Sequence, residues 1–439
     1  MMLALSSRQR AVRLTALLTL PLLANACAGA GERSSPALPA ASASRAKAIR
    51  ARPAEVGGSA ASFVDSVGVN VHFGDANTPY GENPARIATL IAKLGVHHLR
   101  DGTFPGQSNL CSLDRAYAAQ GVTFDFIVSP NETDAQLASW QACSSPAADA
   151  YEGYNEYDLS GDPNWVADLQ AAQQQIYDYA HGIDLIAAGP ALTSESAYGE
   201  VGPVPADVGN MHDYFAGRNP GTPGWGESDG FGTYGSMAYD IAIAQQTTGS
   251  APMWATETGY GDQPGTQSYV PAVTKMHYTL RTLLLHWNAG VARTYVYELI
   301  DEGGGSFGSY GLTNAKTVPK PAFNAVAALL AHLAGGGTGT ASLDYTLDAG
   351  SSIDHALFAL NSNHFVLALW QEVPEWDPNT NQPITVYPQP VSLIFPSAPQ
   401  QIDATTFRSN GKPLTQPLVA QTTVNLNVDG GVTLVDIYP

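Results

Sequence analysis

"SVGVNVHFGDANTPYGENPARIATLIAKLGVHHLR", residues 66–100, holds the pattern that decides the fold. Val67, Val69 and Val71 alternate as a strand does. Asn83 is placed to cap a helix, Pro84 suits its first turn, and Ile87, Leu90, Ile91 and Leu94 recur at helical spacing before Gly95 ends it. A second strand, "VHHLR", follows at once. Strand, helix and strand with short joints indicate a parallel sheet, because a crossover helix must carry the chain back to the end where the first strand began.

The rhythm continues outward from there. "TFDFIVS" (123–129), the helical "DAQLASWQAC", "AYEGYNE" (150–156), a helix from Trp165 to Ala180, "IDLIAAG" (183–189), "VGNMHDYF" (208–215), "APMWATE" (251–257) and "VARTYVYE" (291–298) complete eight strands. Between the last two, Val273, Met276, His277, Leu280, Leu284 and Trp287 share one helix face, and "KPAFNAVAALLAHL" (320–333) reads as the closing helix. Eight units over roughly 275 residues predict an α/β chain with a (β/α)8 TIM barrel, whose usual size is about 250. A doubly wound sheet also alternates. Here, however, no Gly-rich phosphate loop follows the first strand, and polar residues cluster after the strands' C-terminal ends.

The catalytic barrel is expected over 61–335. After "AGGGTGT" the period changes to two, and "DHALFAL", "HFVLALW", "VSLIFP", "TTVNLNV" and "GVTLVDIY" predict a C-terminal β-sandwich over 336–439.

Arg8, Arg10 and Arg13 precede the apolar run "LTALLTLPLLANA", so residues 1–27 read as an export signal. Thirteen residues are short for a bilayer span, which takes about 20. Cys27 is a candidate lipid anchor of a lipoprotein, although "ANAC" lacks the large aliphatic residue usual three positions before such a Cys; simple cleavage is the alternative. Residues 28–60, rich in Ala, Ser and Pro, read as a flexible linker. The expected location is secreted, periplasmic or cell-surface. In that setting Cys111 and Cys143 form an even pair suited to a disulfide, against the alternative of two buried thiols.

A net charge of −19 and pI near 4.7 exclude nucleic acid as a natural partner, since a polyphosphate needs a basic stripe. Polyanionic substrates are disfavoured on the same ground. A neutral saccharide or glycoside meets no such objection, and the chain is expected to act as a monomer.

Glu156, in "YEGYNEYDLSG" (151–161), ends the fourth predicted strand, and Glu257, in "MWATETGYG", ends the seventh. Strands 4 and 7 face each other across a barrel mouth, so the two carboxylates can flank a substrate. Glycoside hydrolysis needs that pair, one protonated to help the leaving oxygen depart and one ionised beneath the anomeric carbon. No metal or organic cofactor is required.

These residues resemble the large retaining clan of barrel glycoside hydrolases, clan A, including the family five cellulases and family thirty-nine xylosidases. Asn155-Glu156 matches the clan's acid/base motif, Glu257 its nucleophile, His212-x-Tyr214 its His-x-Tyr motif, and Arg100 its strand-2 Arg. The resemblance implies that Asn155 holds the sugar's 2-hydroxyl, that Tyr214 hydrogen-bonds the nucleophile and that Arg100 touches it. It spans about residues 62–439. Family five enzymes usually place a Trp platform after strand 8, where this chain has Tyr297 and Glu298.

Asn70 and His72 point to one side of the first strand and are further candidates for the sugar site, against a structural role for a lone His. Trp225, in "GTPGWGESDGFGTYG", could stack on a sugar or plug a loop, whereas Trp140 and Trp165 lie on predicted helices and read as core. "DPNTN" (377–381) superficially resembles a calcium loop, but Gln382 and Pro388 stand where Gly and Glu belong, so it reads as a hairpin tip. No Cys or His cluster has zinc spacing. A transglycosylase sharing the covalent intermediate, and a non-catalytic carbohydrate-binding surface protein, are the alternatives to a hydrolase.

Overall fold

The computed structural model describes residues 54–303 and 308–439. The export signal, Cys27 and most of the linker lie outside the described residues.

Eight parallel strands form the barrel: Val67–Asn70, His98–Gly102, Thr123–Ile127, Ala148–Glu152, Ile186–Ala188, Gly209–His212, Met253–Thr258 and Arg293–Val296. They hydrogen-bond in the order 5-4-3-2-1-8-7-6, and a parallel bridge between Ala188 and Val208 closes the ring. The helix read in the opening stretch spans Pro84–Leu94. The Asn83 side chain caps it by accepting from the Arg86 amide, and Gly95 stops it in the left-handed conformation. Its Ile87, Leu90, Ile91 and Leu94 are buried against the barrel.

Alternation sorts each strand. Val67, Val69, Leu99, Phe124, Phe126, Tyr151 and Ala255 join the helix-facing core. Residues of the opposite parity, Ala150, Ala188, Val208, Trp254 and Tyr295, fill the barrel interior. The cysteines lie on neighbouring helices, Ser108–Ala118 and Asp134–Ser144, and are bonded as Cys111–Cys143 with Cα atoms 5.6 Å apart. Trp140 is core, and Trp165 packs half-buried against it.

Two corrections concern the second layer. Residues 55–59, inside the expected linker, form a strand that pairs antiparallel with Ala341–Leu343 and parallel with Ile353–Asn361. Its "EVGGS" carries no apolar alternation to reveal it. The glycines permit the close approach: a Cβ on Gly58 would lie 2.9 Å from the Trp287 ring. This strand belongs to a seven-stranded sheet that faces a three-stranded one made of Thr346–Asp348, Gln389–Ile394 and Thr423–Val428.

The second correction concerns the period of two. Ile353–Asn361 and His364–Gln371 are apolar at both parities because both faces of the larger sheet are covered. Leu357, Ala359, Phe365, Leu367 and Leu369 pack within the sandwich, while Ala356, Phe358, Val366, Ala368 and Trp370 pack onto the barrel's helical layer. "DPNTN" is a hairpin tip: Trp376–Asp377 pairs with Gln382–Pro383. Among the described residues no helix is long and apolar enough to cross a membrane.

Candidate active site

One guanidinium organises the barrel mouth. Arg100, on the second barrel strand, is 2% exposed. Its Nε and Nη2 donate to the two oxygens of Glu152 at 2.8 and 2.7 Å, and Nη1 donates to Glu257 Oε1 at 2.7 Å and to Asn70 Oδ1 at 3.0 Å. Nη2 also donates to Asn155 Oδ1 at 2.7 Å. Burial opposes the charge on Arg100, but Glu152 and Glu257 more than offset it and raise the pKa well above the usual value. Glu152 is a site residue the sequence reading missed. Its signal was a carboxylate inside an apolar strand, which has to find a partner when buried.

Glu257 reaches the mouth through a bulge. Ala255 faces the helices, and strict alternation would send Glu257 the same way. The pairing register with the sixth strand shifts between Ala255 and Glu257, which turns the carboxylate inward. There its Oε2 accepts the Tyr214 hydroxyl at 2.8 Å, while Oε1 is held by Arg100. Burial pushes the Glu257 carboxyl up. The electrostatic pull of His212 and Arg100, with the hydrogen bonds from Tyr214 and Arg100, outweighs burial, and the net shift is downward. Burial and the Glu257 charge push the Tyr214 hydroxyl well up, so it stays a donor.

Glu156 lies four residues beyond the fourth strand, which ends at Glu152 and not at Glu156 as the sequence suggests. It adopts a left-handed conformation at φ 47°, and its amide donates to the Ala191 carbonyl at 3.0 Å. That turn costs a non-glycine residue about 1–3 kcal/mol and aims the carboxylate into the cleft. His212 Nδ1 lies 2.8 Å from Glu156 Oε1 and 3.7 Å from Glu257 Oε2, so one imidazole spans the two carboxylates. Asn155 is exposed beside them, its carbonyl held by Arg100.

Asn70 joins the network directly: its amide donates to the Thr256 carbonyl at 2.9 Å. His72 and Glu298 do not touch the paired carboxylates. Nδ1 of His72 sits 2.5 Å from Glu302 and 3.4 Å from the buried Glu298. Burial disfavours the imidazolium, yet these two carboxylates raise its pKa well above the ordinary value. Burial lifts Glu298 to about 7, with His72 pulling the other way. The half-buried Tyr297 ring lies 5.6 Å from the His72 ring and 5.9 Å from Tyr310. Glu302 and Tyr310 carry no local sequence signal.

Trp225 lines a cavity of about 400 Å³ whose walls also include Glu156, His212, Tyr214 and Tyr310. A shallower depression of about 730 Å³, lined by Asn131, Tyr154 and Gln175, contains none of Arg100, His212 or Glu257. Two groups among the described residues could offer a cation one His and two carboxylates within 4.8 Å: Glu156, His212, Glu257 and His72, Glu298, Glu302. Chemically, the mouth presents a buried ionised carboxylate and a more exposed carboxyl across one short gap.

No family model matches the chain, and no curated protein does. Solved structures do. A glucosidase from Croceicoccus marinus aligns at 10% identity and TM-score 0.56 over 88% of this chain and 98% of that one. A GH51 α-L-arabinofuranosidase from Thermotoga petrophila RKU-1 aligns with the same identity, TM-score and coverage. An α-L-arabinofuranosidase from Thermotoga maritima aligns at 10% identity and TM-score 0.51 over 81% and 90%. At such identity the likeness is one of fold, a barrel with an appended β domain.

Proposed function

We propose that the chain is a retaining glycoside hydrolase of the clan A type, exported as its N-terminal sequence suggests and carrying a lipid at Cys27 if that signal is of the lipoprotein kind. One observation carries the mechanism: an oxygen of Glu156 and an oxygen of Glu257 lie within 4.8 Å of each other. Retaining enzymes hold their carboxylates about 5–5.5 Å apart, whereas inverting ones need about 6.5–9.5 Å to admit a water.

Glu257, ionised and aimed by Tyr214 and Arg100, attacks the anomeric carbon. The bond to the leaving oxygen breaks, and that oxygen takes the proton of Glu156. The resulting glycosyl ester on Glu257 is released when a water, losing its proton to Glu156, attacks the same carbon. In this reading Asn155 and His72 meet sugar hydroxyls, while Asn70, buried and bonded to Arg100 and Thr256, holds the Arg100 guanidinium in place.

The test is a 2-fluoro glycoside with a good leaving group, offered across a panel of sugars. Fluorine slows both steps and the leaving group rescues only the first, so the ester accumulates on Glu257 and peptide mapping finds it there. Label on another residue, or product of inverted configuration by NMR, rejects the mechanism.

A further inference from the structure

We propose that Asp125, at the centre of the third barrel strand, is held as a neutral carboxylic acid that donates its proton to Glu152, and that it acts as a positioning residue which leaves the Arg100 charge available to Glu257. The part concerning Glu257 rests on the reaction proposed above; the part concerning the proton does not.

Strand geometry places the group. Phe124 and Phe126 join the helix-facing core, so Asp125 between them faces the barrel interior, where it is 0% exposed. It pairs in register with Arg100 on the second strand and with Ala150 on the fourth, and Glu152, two residues beyond Ala150, faces inward with it. Two carboxyl groups thus lie beside the Arg100 guanidinium.

Counting donors fixes the charge. The five N–H groups of Arg100 go to Glu152 twice and to Glu257, Asn70 and Asn155 once each. On the eighth strand Arg293 is bonded to Asp149, and neither it nor the Tyr295 hydroxyl bonds Asp125. Among the described residues no N–H or hydroxyl donates to either Asp125 oxygen. An ionised Asp125 would therefore be a buried charge without one hydrogen bond, set beside a second anion. Protonated, it becomes a donor, and the acceptor it meets is Glu152, which stays ionised because Arg100 grips it at two points. Burial and the Glu152 charge both push the Asp125 carboxyl well up, and the pull of Arg100 and Arg293 does not reverse this.

The consequence passes through Glu152 to the nucleophile. A carboxylate that already accepts a proton attracts its other partners less, so Glu152 leaves more of the Arg100 charge to Glu257. An ionised Asp125 would do the reverse, drawing on Arg100 and repelling the charge on Glu257.

Urea unfolding of the wild type and of Asp125→Asn across pH tests the proton without any substrate. The unfolded Asp loses its proton near the usual 3.8 and the folded one keeps it, so the stability this proton supplies is fully present below that value and is lost as pH rises towards the folded one. Asn carries a comparable donor and no such proton. The Asn variant should therefore gain on the wild type by about tenfold in folding constant between about pH 5 and about pH 6. A ratio that stays constant over that range overturns the proposal.

The second test reads the acid limb of 2-fluoro glycoside inactivation, for a sugar that the panel shows to be accepted. Asp125→Ala removes the donor and should move the limb up by about 0.5–1 pH unit, while Asp125→Asn, which restores a donor, should return it to within about 0.2 unit of the wild type. Asp125→Leu, which fills the space without a donor, takes the place of Ala if the cavity prevents folding. A limb unmoved in the donor-less variant, or moved as far in Asn as in that variant, overturns the positioning role. Absent labelling of Glu257 in the wild type counts against the reaction instead, and the urea series still decides the proton.

Discussion

Arg100 and Glu152 form a two-point ion pair inside the barrel, Nε to Oε2 at 2.8 Å and Nη2 to Oε1 at 2.7 Å, with side chains 2% and 0% exposed. A guanidinium held at two points cannot rotate, so its remaining Nη1 donor arrives at Glu257 already aimed. Glu152 also shares the charge that would otherwise fall on Glu257 alone. Glu152→Ala should therefore destabilise the fold by roughly 3 kcal/mol, because it strands two buried donors. Glu152→Gln keeps an acceptor and should lose less than half of that in urea unfolding. Equal losses would reduce the pair to packing.

Tyr214 donates to Glu257 at 2.8 Å and helps hold its pKa below the usual 4.5. In the proposed reaction the attacking form is the ionised one, so activity should persist below pH 4.5 and fall as pH drops through the lowered value. By the same linkage, the stability Glu257 contributes is present above its unfolded pKa and lost as pH falls through the folded one. Tyr214→Phe removes a stabilising donor and should move the acid limb of 2-fluoro glycoside inactivation up by about 1 pH unit. An unmoved limb would detach Tyr214 from the nucleophile's ionisation.

Glu156→Ala should slow the enzyme in proportion to the leaving group's need for a proton. Natural glycosides, losing an alkoxide, should drop by about 10²–10⁴ in rate. Dinitrophenyl glycosides should show a fast burst followed by slow turnover, since only the second step then lacks its base. Azide, needing no deprotonation, should accelerate that slow phase and yield a glycosyl azide of retained configuration. Similar losses on both leaving-group classes without azide rescue would remove Glu156 from catalysis.

Cys111 and Cys143 are 32 residues apart, and closing that loop should stabilise the oxidised protein by about 3–4 kcal/mol. Replacing both with Ser should lower the urea midpoint and, because the uncrosslinked unfolded chain exposes more surface, raise the slope. Labelling of the unreduced, denatured wild type should find neither thiol, and finding both would contradict the pairing.

Several features were readable from local pattern alone. The Pro84–Leu94 helix, with its Asn83 cap and Gly95 stop, depends on neighbours within a few turns, so periodicity and terminal residues suffice to predict it. The alternation of strands and helices indicated a parallel sheet for the same reason, the missing Gly-rich loop and the polar strand ends favoured a barrel over a doubly wound sheet, and Glu156, Glu257, Arg100, His212 and Tyr214 stood at positions that barrel topology brings to one mouth. What tertiary structure alone decided are relationships between distant residues. Whether Glu257 faces helices or cleft depends on a bulge set by pairing with the sixth strand, and a bulge leaves no local period. Glu152, missed in the sequence, is neutralised by Arg100, 52 positions away. The 55–59 strand is too glycine-rich to signal itself and is specified by its partners at 341–343 and 358–359. Apolar period records which face of an element is buried, but which elements meet, and at what register, is settled by contacts that form only once the chain has closed on itself.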